Sequence, residues 1–91
     1  MKTFKFFIIT YDFRIINSYS NFYDEIKNIG EWQHIMESSW IVKTCNHSAD
    51  SIYKLLKPHI LDEDTLFIVD ITNKERSGWL HKSMWNWLNK V

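Results

Sequence analysis

Residues 3–11 read TFKFFIITY and carry apolar side chains at nearly every position. Such a run is typical of a β-strand that is covered on both faces of its sheet. Because side chains alternate along a strand, Phe6 and Ile8 point to one face, and Phe7 and Ile9 point to the other. Helices of the same chain can cover one face. We expect a second copy of the chain to cover the other face, so this strand predicts a homodimer.

The residues after this strand predict a helix. Apolar side chains recur at three- and four-residue spacing from Tyr19 to Ile29, as they do on one face of a helix. Ser18 or Ser20 could cap the start of this helix. Gly30 suits a left-handed residue after its end.

Two more strands, a helix, a last strand and a C-terminal helix follow. The two strands of a hairpin are predicted at 31–36 and 39–45, and the next helix is capped by Ser48 and ends near Pro58. The last strand is predicted at 65–71, and a short amphipathic helix follows in the tail. We expect this tail helix to pack on the domain or on its partner. The order predicts an α+β fold, a ferredoxin-like β-α-β-β-α-β sandwich with a four-stranded antiparallel sheet, formed by residues 1–91 as one domain.

Composition limits the possible environments and partners. The apolar run of residues 6–9 is far too short to cross a bilayer, and the single Cys45 has no partner for an intrachain disulfide. Both features favour a cytoplasmic protein without membrane contact. The 11 basic residues balance the 11 acidic ones, so the chain lacks the positive field of most non-specific nucleic-acid binders.

Asp12 follows Tyr11 where the first predicted strand ends and its loop begins. A carboxylate at such a position can reach solvent while its backbone stays rigid, so Asp12 is the best single candidate for a metal ligand and catalytic residue. In a homodimer, two copies of Asp12 could share one magnesium ion. The ion would activate a water molecule for attack on a phosphodiester. The alternative is structural, because Asp12 could cap the following turn or pair with Arg14.

Several short motifs resemble those of the CRISPR-associated protein two family. They are Ile8-Ile9-Thr10-Tyr11-Asp12, the first helix closing at Gly30, Gln33, and the strand start Ser38-Ser39-Trp40. The chain is still more similar to small SinR-like relatives of that family, through Trp40-Ile41-Val42-Lys43-Thr44, the pair Asp64 and Leu66, and a Trp-Leu tail. The resemblance spans nearly the whole chain.

This resemblance implies a dimer that acts on or binds nucleic acid. In the family, the aspartate at this strand end is associated with metal-dependent nuclease activity, and the dimer also holds DNA for an integrase. Asp12 inherits that expectation with magnesium or manganese as cofactor, and Tyr11 and Arg14 become candidate contacts to RNA or DNA. VapD-like ribonuclease toxins are similar as well. The chain departs from the family pattern in offering Arg14 alone where the family has a cluster of arginines.

A second interpretation is a catalytically silent dimer that binds a protein partner in phage defence or counter-defence. The balanced charge and the sparse arginines favour this interpretation. Loss of hydrolysis in an Asp12→Ala dimer would support the enzyme, whereas metal-free binding to a protein would support the interaction module.

Other polar and aromatic residues receive structural interpretations. His34, His47, His59 and His81 lack the short spacing of zinc ligands, and residues 62–64 predict a solvated acidic turn. Asp70 lies inside an apolar strand and is expected to pair with Lys5 or Lys43, or to be exposed near the dimer edge. The five tryptophans could stack on bases, although their spacing favours positions in the core and the dimer interface.

Overall fold

The computed structural model describes residues 3–15 and 19–89. In chain order the elements are β1 (Lys5–Asp12), α1 (Ser20–Lys27), β2 (Glu31–Met36), β3 (Ser39–Thr44), α2 (Ala49–Leu56), a 3₁₀ turn (Lys57–His59), β4 (Thr65–Asp70) and α3 (Lys82–Asn89). The predicted order of strands and helices is confirmed, and both hairpin strands begin at the predicted residues.

The four strands form one antiparallel sheet in the order β2-β3-β1-β4. β1 lies in its centre, where Phe7 is opposite both Val42 of β3 and Asp70 of β4. Directly opposite residues of an antiparallel pair project from the same face, so this register assigns every strand side chain to a face. The α+β class and the ferredoxin-like arrangement are confirmed.

α1 and α2 cover one face of the sheet, which we call the helix face. The buried residues of this layer are Phe7, Ile9, Tyr11, Tyr19, Phe22, Ile26, Ile29, Trp40, Val42, Ile52 and Leu56. Fully burying one large apolar side chain contributes about 1.5–3 kcal/mol. This layer is therefore the main source of stability.

α3 covers part of the opposite face, which we call the second face. Leu88 is buried against Phe6 and Ile41, with Trp85 and Trp87 packed beside it. The ring of Trp87 meets that of Phe6 edge-on, with 5.3 Å between centroids. The C-terminal helix thus packs on its own domain. Of the two predicted positions for this helix, on the domain or on its partner, the first is confirmed, so part of the second face is covered without a second copy of the chain.

Helices α1 and α2 begin in different ways. Ser48 caps α2 as predicted, since its hydroxyl accepts from the Ser51 backbone N–H at 3.1 Å and its own N–H donates to the Ser51 hydroxyl at 2.8 Å. In α1 the N-cap position is occupied by Tyr19, which makes no side-chain cap hydrogen bond. Ser20 is already helical, so its predicted capping role is wrong, and Ser18 lies outside the described residues.

Gly30 is needed for a different reason from the predicted one. Its φ angle lies outside the left-handed region, so the predicted left-handed end of α1 is wrong. A Cβ atom at this position would collide with the backbone carbonyl oxygen of Lys43 in β3. The missing side chain therefore allows the start of β2 to lie directly against β3.

Candidate functional site

Asp12 is the last residue of β1 and lies opposite Thr65, the first residue of β4. This register places its side chain on the second face, together with that of Phe67. Asp12 is exposed, and Phe67 nearby is 66% exposed. Residues 10–12 and 65–67 line an open depression at this end of the two strands. The predicted carboxylate is thus presented to solvent from a rigid strand end beside an apolar ring.

Tyr11 projects from the other face, into the core. Its hydroxyl accepts a hydrogen bond from Trp40 Nε1 at 2.9 Å and donates one to the Glu37 carbonyl oxygen at 3.3 Å. Burial raises the pKa of Tyr11 to about 12, although the Trp40 hydrogen bond acts in the opposite direction. The backbone N–H of Tyr11 donates to the Ser38 carbonyl at 3.1 Å. The side chain predicted as a nucleic-acid contact therefore anchors the strand end from the core side and leaves Asp12 at the surface.

The loop after Asp12 is held by the carboxylate of Asp64, which is 8% exposed. Asp64 accepts hydrogen bonds from the backbone N–H groups of Arg14 at 2.9 Å and Leu61 at 2.8 Å. The Tyr19 hydroxyl donates a third bond at 3.1 Å. Burial acts to raise the pKa of Asp64, but the three hydrogen bonds favour the charged form and lower the pKa below its ordinary value. The prediction of a solvated acidic turn is wrong for this residue.

Arg14 is exposed and lies two residues beyond Asp12. None of the ion pairs among the described residues joins these two side chains. Asp12 can therefore offer its carboxylate to a cation while Arg14 offers its guanidinium to a phosphate. Within residues 3–15 and 19–89, no group of three or more His, Cys, Asp or Glu side chains is placed to hold a metal ion.

Asp70 is held locally, which corrects the predicted ion pair with Lys5 or Lys43. Its Oδ1 accepts a hydrogen bond from the Thr72 backbone N–H at 2.9 Å. Hydrogen bonds from Thr72 lower the pKa of Asp70, with a smaller contribution from the charge of Lys5. Lys43 instead lies 3.9 Å from a carboxylate oxygen of Glu31. Asp70 is therefore a structural residue at the end of β4.

The five tryptophans divide between the interior and the surface. Trp40 is buried in the helix face, and Trp85 and Trp87 are half-buried against the second face. Trp32 and Trp79 are 40% and 99% exposed. These two tryptophans are therefore not in the core of the chain, and their predicted place in a dimer interface stays a prediction. The spacing of the residues carries no signal of the difference, because exposure depends on which strand lies at the sheet edge and on where the tail runs.

The histidines lie on separate parts of the fold. Three of them contact polar side chains: His47 with Ser51, His59 with Glu25, and His81 with Ser83. The fourth, His34, stacks on Trp40 with 4.1 Å between ring centroids. This last contact joins an exposed ring to the core.

Comparison with models of known protein families, with curated proteins and with solved structures finds no significant match. In the part of the chain that the structure describes, no helix is long and apolar enough to cross a membrane. The geometry around Asp12 and the exposed aromatic residues are therefore the basis for assigning a function.

Proposed function

We propose that the protein forms a homodimer that binds or acts on RNA or DNA, with Asp12 as a ligand of magnesium or manganese. The observation that carries this proposal is the position of Asp12, an exposed carboxylate at the end of a central strand and on the same sheet face as the exposed ring of Phe67. A divalent cation requires oxygen ligands, and a rigid strand end holds such a ligand in place.

A second copy of the chain would complete the site. Burying the exposed ring of Phe67 between two copies would be favourable, since aromatic rings dominate the energetics of interfaces. Residues next to a two-fold axis lie near their own copies, so an axis through this patch close to Asp12 would bring the two Asp12 carboxylates together. Magnesium commonly keeps several waters and takes only one or two carboxylates from the protein. When bound, such an ion activates water and stabilises charge on a phosphodiester.

Arg14 would supply the phosphate contact. Its backbone is fixed by the hydrogen bond to Asp64, and its exposed guanidinium can bind a phosphate through two parallel N–H groups. With a formal net charge of zero, the chain does not attract nucleic acid through a general positive field. Local contacts of this kind therefore have to provide the affinity.

The test is cleavage of labelled RNA and DNA oligonucleotides, single- and double-stranded, with magnesium or manganese. We expect metal-dependent cleavage that Asp12→Ala reduces by roughly a hundredfold or more, since changes even outside the ligand shell cost about 10–100-fold. Asp24→Ala is the matched control, because it removes an exposed carboxylate from α1, away from the strand end. Equal cleavage by the wild type and Asp12→Ala would refute the catalytic role of Asp12.

The second candidate is a dimeric module that binds a protein and catalyses nothing. The formal net charge of zero, together with the exposed Phe67 ring, favours it. A dimer that neither cleaves nor binds any oligonucleotide would exclude the nucleic-acid proposal and leave this candidate.

A further inference from the structure

The edge strand β2 carries an exposed aromatic surface that the Asp12 site does not use. Trp32 and His34 alternate along β2 and lie opposite Val42 and Trp40 of β3, so both project from the helix face. The helices do not fully cover them, since Trp32 is 40% exposed and His34 is also exposed. We define the aromatic platform as Tyr23, Lys27, Trp32, His34 and Trp40.

The rings of the platform are held in fixed positions. His34 lies parallel to Trp40, with 4.1 Å between centroids and an angle of 11° between the planes. Trp40 in turn stacks on Tyr23 of α1 at 5.9 Å and contacts Trp32 at 5.2 Å. The Nε2 atom of His34 lies 3.2 Å from the Glu37 carbonyl oxygen, which also fixes the imidazole. Rings held in this way lose little conformational entropy when a flat ligand binds.

The platform includes one positive charge and is packed against the strand that carries Asp12. Lys27, in the last turn of α1, places its Nζ 5.3 Å from the centroid of the Trp32 ring. Trp40 also donates the hydrogen bond that holds Tyr11 at 2.9 Å, so the platform is packed against the strand that ends at Asp12.

We infer that the aromatic platform binds unpaired bases of single-stranded nucleic acid, which stack on Trp32 and His34 while Lys27 faces the phosphates. This inference rests on the proposed function and narrows its ligand to single strands of RNA or DNA. In a duplex the faces of the bases are hidden in the stack, whereas an unpaired base exposes both faces. Stacking also suits a chain with a formal net charge of zero, because it does not depend on a general attraction for phosphates.

Fluorescence anisotropy with fluorescein-labelled oligo(U), oligo(dT) and a DNA duplex of equal length, in buffer without divalent metal, tests this inference. Trp32→Leu removes the aromatic ring and keeps an apolar side chain, whereas Trp32→Phe keeps a ring. Trp79→Leu is the matched control, because it makes the same change at a tryptophan that is 99% exposed and lies outside the platform. Circular dichroism checks that each variant is folded.

We expect the wild type to bind single strands more tightly than the duplex. Trp32→Leu should weaken single-strand binding by roughly tenfold or more, as expected when one stacked base loses its aromatic partner. Trp32→Phe should retain most of the affinity, and Trp79→Leu should bind like the wild type. Tighter binding of either oligo(U) or oligo(dT) would support the inference and would identify the preferred sugar.

Each contrary result has a distinct meaning. Equal binding of single strands and duplex, or equal binding by Trp32→Leu and Trp32→Phe, would overturn the inference that the platform binds unpaired bases. If Arg14→Ala still weakened binding in that case, the proposed function would stand without the platform. Weaker binding by Trp79→Leu alone would move the contact to the tail and would also overturn the inference. Failure of the wild type to bind any of the three probes would overturn the inference, and metal-dependent cleavage of oligonucleotides would then decide the proposed function separately.

Discussion

Asp64 is the residue on which the loop behind Asp12 depends. Its carboxylate accepts from two backbone N–H groups and one hydroxyl, and replacing it with Ala would leave these donors without their acceptor. We expect Asp64→Ala to lower the free energy of unfolding by roughly 1–3 kcal/mol at pH 7. Urea unfolding followed by tryptophan fluorescence measures this change. Asp62→Ala is the control, since this exposed residue makes a surface ion pair with Lys57, and its loss should cost less than about 1 kcal/mol.

The stability that Asp64 contributes, measured as the difference between the wild type and Asp64→Ala, should depend on pH. The folded state lowers the pKa of Asp64 below its ordinary value of 3.8, so the folded state binds this proton less readily than the unfolded state does. The stabilisation is therefore fully present above the ordinary pKa and is lost as the pH falls through the folded-state pKa. The difference in unfolding free energy between the wild type and Asp64→Ala should narrow below about pH 4. A difference that stays constant to low pH would show that the charge of Asp64 does not hold the loop.

Residues of this chain differ in whether their exposure can be predicted from the sequence. The exposure of Asp12 could be predicted, because it follows from the position of a carboxylate at the end of an apolar strand. The burial of Asp64 could not, because its partners Tyr19 and Arg14 lie 45 and 50 residues away in the chain. Sequence spacing likewise did not reveal the exposure of Trp32, which depends on the place of β2 at the edge of the sheet.

At the level of elements, Gly30 controls how the β2-β3 hairpin begins. Gly30→Ala would place a methyl group against the Lys43 carbonyl oxygen, and this backbone atom cannot move without disturbing the β1-β3 pairing. We expect the substitution to destabilise the protein by roughly 1–3 kcal/mol, as overpacking does elsewhere. Thermal and urea unfolding provide the measurement.

Gly78→Ala is the matched control for this prediction. A Cβ atom at Gly78 would meet only the ring of Trp85, at an ordinary contact distance of 3.9 Å. Its stability should therefore stay within about 0.5 kcal/mol of the wild type, as for most surface substitutions. Equal effects of the two substitutions would argue against a close approach of Gly30 to β3.

The elements that could be predicted are those that depend on residues close together in the sequence. The hairpin and the Ser48 cap depend on neighbouring residues, and both follow from the sequence. The amphipathic pattern of α3 shows that Leu88 must be buried, but it does not show against which sheet face or which copy of the chain. That choice depends on tertiary packing, and the structure places Leu88 against Phe6 of its own β1.

For the whole molecule, the exposed Phe67 patch leads to a prediction about oligomeric state. α3 covers the second face around Phe6 and Ile41, whereas Phe67 is left 66% exposed beside Asp12. If this patch is the dimer interface, Phe67→Gln should raise the dimer dissociation constant by roughly tenfold or more, as expected for an aromatic interface anchor. Size-exclusion chromatography with light scattering at micromolar concentration measures it. Tyr53→Gln is the control, an exposed aromatic on α2, and should not change the mass.

The shared site further predicts that cleavage and dimer formation change together. Because one chain supplies one Asp12, a variant such as Phe67→Gln should lose cleavage at low protein concentration and regain it as the concentration approaches its raised dissociation constant. Asp12→Ala should stay inactive at every concentration, because its dimer still lacks the carboxylates. Cleavage that is proportional to protein concentration in a monomeric Phe67→Gln would place the whole reaction within one chain and would rule out a metal shared by two copies.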